Sequence, residues 1–146
     1  MIRPAIEADV PQLLAMIREL GEYEHLADEV VLTEDDLARA LFGPGAIVFD
    51  TVVDVGGGAA LVGHALWYRT FSTFLGKTGI WLEDIYIRPE HRRQGHAAAL
   101  LTHLRQQTEG RLEWDVLEWN APAIDFYQRL GARPMAGWTR YRWYEA

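Results

Sequence analysis

The run Thr78-Gly79-Ile80-Trp81-Leu82-Glu83-Asp84-Ile85-Tyr86-Ile87 constrains this chain more than any other segment. Its aromatic and β-branched residues read as a strand interrupted by two adjacent carboxylates, and Arg88-Pro89 ends it. A helical stripe of Ala98, Leu101 and Leu104 then marks residues 94–109, and residues 111–117 read as another strand. A strand, a helix and a strand in succession require a crossover between parallel neighbours, which commits the chain to an α/β architecture.

The remaining segments fit around that unit. Residues 2–5 form a short strand, and Asp9 is the expected N-cap of a first helix with Val10, Leu13, Leu14, Ile17 and Leu20 on its apolar face. Thr33 and Asp36 have capping-box spacing, opening a second short helix that carries Leu37 and Leu41 and stops at Gly43-Pro44-Gly45. Residues 46–53 and 59–68 are β-rich and flank Gly56-Gly57-Gly58. That triplet reads as a hairpin turn and not a phosphate loop, because no Gly-Lys-Ser or Gly-Lys-Thr follows and no helix opens after it. Residues 121–130 make a last helix closed by Gly131, and residues 138–144 are expected to form a final strand. The order predicts a single-domain α/β sandwich over residues 1–146, its sheet mixed but mainly antiparallel and flanked by helices.

Composition removes several functional classes. A chain of 146 residues suits one domain, which at this size buries roughly 68–70% of its unfolded surface. The absence of cysteine rules out disulfides, thiolate metal sites and a cysteinyl acyl-enzyme. His25, His64, His91, His96 and His103 lack zinc-binding spacing, so no metal is expected. The net charge of −7 argues against a nucleic-acid partner and is compatible with cationic substrates. Neither a secretory signal nor an apolar run of about 20 residues is present, so the expected setting is cytoplasmic, without a membrane.

The chemistry gathers at Glu90-His91-Arg92-Arg93-Gln94-Gly95-His96-Ala97-Ala98, where the strand gives way to the helix through small residues. Open N–H groups in the first turn of a helix, with the dipole's positive end, favour an anion there. Gly95 and Ala97 would let a pyrophosphate approach the backbone. By itself such a pattern is equally a solvated helix start.

Two blocks together carry a resemblance. Arg92-x-x-Gly95-x-Ala97, between strand and helix, resembles the acyl-CoA motif of the GNAT family of N-acetyltransferases. Asn120, Phe126-Tyr127 and Gly131, in that order, resemble the same family's C-terminal motif. Tyr23-Glu24, Val31-Leu32-Thr33-Glu34, Trp81-Leu82-Glu83-Asp84 and Glu118-Trp119-Asn120 are similar to its diamine (spermidine/spermine) acetyltransferase group. The loop Phe71-Ser72-Thr73-Phe74 resembles that group's thialysine-acetylating branch, although Phe74 stands where tryptophan is usual.

The resemblance implies acetyl-CoA as co-substrate, held by Ile85, Tyr86, Ile87, Arg92, Arg93, Gln94, Gly95, His96, Ala97, Asn120 and Tyr127. It implies Glu83 as the base and Tyr127 as the acid that protonates the departing thiolate, with Glu24, Ser72, Phe74, Glu83 and Asp84 facing a small cationic amine. It further implies a homodimer, for which the aromatic run over residues 138–144 is a plausible edge. The same donor motifs would serve acetylation of a protein or peptide amine, or a catalytically silent acyl-CoA-binding module. The presence of Glu83 and Tyr127 together argues against the silent module. Bulk composition offers plainer readings beside these: a solvated acidic loop for Glu24, a helix cap for Asn120 and a buried aromatic for Tyr127.

Overall fold

A computed structural model describes residues 1–145. By internal packing the chain divides into two units, Met1–Asp115 and Val116–Ala146.

The first unit is a five-stranded mixed sheet with helices. Its elements are β1 (Ile2–Pro4), α1 (Val10–Tyr23), α2 (Glu34–Phe42), β2 (Val48–Val53), β3 (Gly63–Ser72), β4 (Lys77–Ile87), α3 (His96–Arg105) and β5 (Leu112–Glu113). The strands lie side by side in chain order; β1 to β4 pair antiparallel, and β5 joins β4 in parallel after the α3 crossover. The mixed, mainly antiparallel sheet expected from the sequence is therefore present.

Local chemistry explains most element boundaries. Thr33 and Asp36 form the reciprocal capping box: Thr33 Oγ1 accepts from Asp36 N at 3.2 Å, and Asp36 Oδ2 accepts from Thr33 N at 2.9 Å. Helix α1 buries Val10, Leu13, Leu14, Met16 and Ile17 against Leu37 of α2 and against Val52, Leu66 and Tyr86, which share one face of the sheet. Leu100, Leu101 and Leu104 of α3 are buried outside that cluster. Strands β3 and β4 turn at Ser72 and Lys77, while Gly56, Gly57 and Gly58 have positive φ between β2 and β3, as a glycine turn requires.

Asp9 does not cap α1 as its position suggests. Its carboxylate accepts from Ile6 N at 2.9 Å and takes the Arg3 guanidinium in a fork, at 2.8 and 3.2 Å. Arg3 also donates from Nε to Asp54 at 2.9 Å, so one side chain ties β1 to the start of α1 and to the end of β2. A bidentate cation outcompetes a helix N–H for the same oxygens, which is why the capping pattern misled.

The second unit contains α4 (Ala121–Arg129), followed by Gly131 with φ of 95°. The strand expected over residues 138–144 is absent among the described residues, and the strand expected over 111–117 shrinks to Leu112–Glu113. Alternating aromatics satisfy the periodicity of a strand, but a strand exists only where a neighbour supplies the ladder, and no ladder over 138–144 is found among the described residues.

Burial alone would raise the Asp9 carboxyl; its bonds from Arg3 and from Ile6 N–H outweigh that and hold it below the ordinary range. A depressed folded value contributes stability above the ordinary carboxylate pKa of about 4 and loses it as pH falls through the depressed value. Arg3→Met, which leaves Asp9 buried without its cation, is expected to cost about 1–3 kcal/mol in urea unfolding at neutral pH. The deficit should shrink as the solution is acidified below pH of about 4.

Candidate functional site

Strand β4 carries the residues of interest, and its ladder is irregular at one point. Leu66 of β3 pairs with Asp84, yet the next residue, Trp67, pairs with Leu82, so Glu83 is the extra residue of a β-bulge. Without the bulge Leu82 and Asp84 would share a face. With it, Leu82 lies opposite Trp67 and Phe49 on one face, and Asp84 lies beside Leu66 and Asp50 on the other, the face that α1 covers. Glu83 itself is exposed, and its Oε2 accepts from Trp81 Nε1 at 3.1 Å.

On its other side β4 is paired along only part of its length among the described residues. Strand β5 pairs only at Ile80 and Trp81; among the described residues no strand continues along Leu82, Glu83, Asp84, Ile85, Tyr86 and Ile87. An exposed edge offers alternate N–H and C=O groups to an extended ligand bearing amides. Ile85, Tyr86 and Ile87 stand on this edge, where the sequence resemblance places the arm of acyl-CoA.

Beyond Ile87 the chain makes a short 3₁₀ turn over Pro89–His91 and enters the motif loop. Arg93 and Gly95 take positive φ, 61° and 83°, and α3 opens at His96 with Ala99 N bonding to Gly95 O at 3.0 Å. Since that bond is the first of the helix, the N–H groups of His96, Ala97 and Ala98 have no acceptor within it. Left-handed residues alternating with ordinary ones curve the backbone into a concavity lined with N–H, suited to an anion. The Arg92 side chain does something else: its Nε donates to Ile87 O at 2.8 Å, and its guanidinium lies 5.4 Å from the ring centroids of both Tyr23 and Tyr86. Arg92 braces the loop against β4 and α1. Arg93, Gln94 and Gly95 are exposed. An open cavity of about 700 Å³ is lined by Glu19, Glu22, Tyr23, Tyr86, Arg88 and Arg92.

Two carboxyl groups near the bulge, Asp84 and Glu24, are pushed toward their neutral forms. Burial pushes the Asp84 carboxyl up, with Glu83 and Asp50 adding to the effect and His64 opposing it. Burial and then the charge of Asp84 push up the Glu24 carboxyl, at the C-cap of α1. Glu24 and Asp84 are thus brought together by α1 and β4, and Glu83 adjoins Asp84 in the strand. Ser72 and Phe74 stand apart: they lie at the β3–β4 hairpin, with Ser72 Oγ accepting from Leu75 N at 3.2 Å and Phe74 92% exposed. Five residues of strand, about 17 Å of ladder, separate Ser72 from the bulge within one chain.

In the second unit, Asn120 Oδ1 accepts from Ala123 N at 3.4 Å as the cap of α4, and the Phe126 and Tyr127 rings stand 5.5 Å apart. Asn120 therefore has its capping role. Sequence reasoning missed one feature of the site's surroundings: His64 of β3 and Asp50 of β2 are fully buried and paired, His64 Nδ1 lying 2.9 Å from Asp50 Oδ2. One strongly polar residue in the middle of each of two largely apolar strands was the available signal. Among the described residues no three His, Asp or Glu are grouped to hold a metal ion, and no helix is long and apolar enough to cross a membrane.

A bulged β4 leading through a loop with left-handed Arg93 and Gly95 into α3 is the segment that carries the first motif of the family resemblance. Residues 13–132 match the acetyltransferase (GNAT) family, and the chain belongs to it. It is 36% identical to a thialysine N-ε-acetyltransferase of Sus scrofa, over 97% of this chain and 91% of that one. An L-ornithine N5-acetyltransferase of Arabidopsis thaliana is 28% identical over 97% of this chain and 82% of its own length. The fold also matches a solved integron cassette protein from V. cholerae with a TM-score of 0.80 at 22% identity, covering 99% of this chain and 92% of the other. The chain is accordingly an acetyltransferase, and membership implies use of acetyl-CoA.

The loop fits that co-substrate on its own chemistry, because an anion is met by backbone N–H groups that the left-handed Gly95 makes convergent. A Cβ at Gly95 meets no atom, so Gly95→Ala tests the backbone alone. A left-handed non-glycine residue costs roughly 1–2 kcal/mol. Acetyl-CoA should consequently bind Gly95→Ala about tenfold more weakly in calorimetry.

Proposed function

We propose that this acetyltransferase transfers acetyl from acetyl-CoA directly to the primary amine of a small cationic substrate, a thialysine- or lysine-like amine or a diamine or polyamine. The observation that carries the reading is that Glu24, at the end of α1, lies close enough to Asp84 for the Asp84 charge to act on it, with Glu83 next to Asp84 at the β4 bulge. Carboxylates gathered this way hold an ammonium. Relatives named for acetylating thialysine and L-ornithine support the same substrate class.

An amine with a lysine-like pKa of about 10 arrives protonated and unreactive. Asp84 and Glu24 anchor the cation, and Glu83, exposed and oriented by Trp81, takes one proton directly or through water. Acetyl-CoA supplies the acetyl thioester: its C–S bond breaks as the C–N bond forms. Tyr127 protonates the departing thiolate and is reprotonated from solvent, while the second amine proton leaves to solvent. No covalent enzyme intermediate is required, and the chain has no cysteine to form one.

In this reading the N–H groups over residues 92–97 hold the pyrophosphate, the edge over residues 85–87 holds the pantetheine arm, and residues 1–146 act as one cytoplasmic N-acetyltransferase domain. The protein works as a homodimer. The hairpin position of Ser72 and Phe74 implies that these two residues reach an amine bound by a second copy.

Glu83→Gln should lower kcat by about 10²–10⁴-fold in a thiol-release assay with a responsive amine, while leaving acetyl-CoA affinity unchanged. Tyr127→Phe should lower kcat within the same approximate range, again without weakening donor binding. Undiminished turnover in both variants would overturn the assigned roles. A panel of thialysine, lysine, ornithine, diamines and polyamines identifies the acceptor, and a peptide amine preferred over all of them would displace the small-amine reading.

A further inference from the structure

The buried pair Asp50–His64 has no part in the chemistry described so far. Both side chains are fully buried, and His64 Nδ1 faces both carboxylate oxygens of Asp50, at 3.1 and 2.9 Å. The other ring nitrogen, Nε2, is buried and has no hydrogen-bond partner. A buried, unmatched polar atom is costly and is retained where it serves something beyond stability.

Register locates what it serves. His64 is opposite Tyr86, and Leu66, two residues on, is opposite both Asp84 of β4 and Asp50 of β2. In an antiparallel ladder opposed residues share a face, so Asp50, His64 and Asp84 stand on the same side of three adjacent strands. From α1 and α2 that face receives the apolar Leu13, Met16, Ile17 and Leu37. The charges that act on His64 are Asp50, Asp84 and, in opposition, Arg88; Glu19 of α1 is engaged by Arg88 at 3.4 Å and also acts on Tyr86.

We infer that His64, oriented by Asp50, is a positioning residue for Asp84: its imidazolium supplies the buried countercharge that keeps the Asp84 carboxylate ionised and able to hold the substrate ammonium. The inference rests on the proposed amine site. Burial opposes charge on the ring, but Asp50 and then Asp84 outweigh it, and the His64 pKa is raised. Reciprocally, burial, Glu83 and Asp50 all push Asp84 toward its neutral form, and His64 is the group that resists them. A neutral carboxyl is a poor partner for an ammonium. Without the imidazolium, Asp84 would reach its charged form only at higher pH.

The double variant Asp50→Asn/His64→Gln removes both charges without stranding either in the core. It should raise the amine KM about tenfold at neutral pH, the equivalent of one lost ion-pair contact of about 1.4 kcal/mol. The acidic limb of kcat/KM for the amine should move to higher pH, with kcat at saturating amine and the acetyl-CoA KM unchanged. A purely structural role would lower the melting temperature and leave that limb in place, which would overturn the inference. A second measurement needs no turnover: NMR titration of the His64 ring in the wild type and in Asp84→Asn. The His64 pKa should fall when Asp84 is neutralised, and an unchanged titration overturns the inference even if amine acetylation is confirmed. Coupling in the titration with no activity toward any amine would instead count against the amine reading alone.

Discussion

One additional residue in β4, Glu83, determines what the sheet can bind. Because it has no partner in β3, the strand changes phase there, and Leu82 and Asp84 turn to opposite layers. An apolar residue goes to one core, and a carboxylate goes beneath α1. A bulge also increases local twist, and the ladder to β5 ends just before it, at Trp81. The backbone edge that can receive an extended donor and the carboxylates that can receive a cation therefore have a common origin. The adjacent pair Glu83-Asp84, which looks redundant in the sequence, is divided by the bulge into an exposed and a half-buried carboxylate.

Elements whose stability is local were legible from the sequence. The Thr33–Asp36 box, the α1 stripe and the glycine turn at residues 56–58 each depend on residues within a few positions of one another, and each is found in the structure. Elements that need a distant partner were less so. Residues 138–144 have the alternation of a strand and no ladder among the described residues, while Asp9 was drawn from its helix by an arginine on another element. Periodicity reports what a segment can bury, not whether a neighbour is there to pair with it.

The site divides along the same line. The motif over residues 92–97 was visible because an N–H-lined loop needs small residues at given spacings, whereas the contacts of Arg92 with Ile87 O and two tyrosines depend on distant elements and were not. Two adjacent carboxylates within a strand pointed to a bulge, but nothing in Leu82-Glu83-Asp84 says which residue lacks a partner; only the register against β3 does.

Asp50 and His64 are the strongest departure from what a stable core would select. Burying two charged groups costs several kcal/mol per ion before pairing, and an apolar pair of similar volume is often neutral or stabilising in their place. Each position has apolar or small neighbours on both sides in its own strand: Phe49 and Thr51 around Asp50, Gly63 and Ala65 around His64. A Val or Leu there would satisfy the β propensity and leave no orphaned Nε2. What an apolar pair could not supply is a fixed positive charge on the face that carries Asp84, in a region where burial weakens every carboxylate's hold on its charge. The cost of the pair in the core and the ionisation of a half-buried acid beside it are thus two sides of one electrostatic arrangement, written across β2, β3 and β4 by the register that the Glu83 bulge leaves behind.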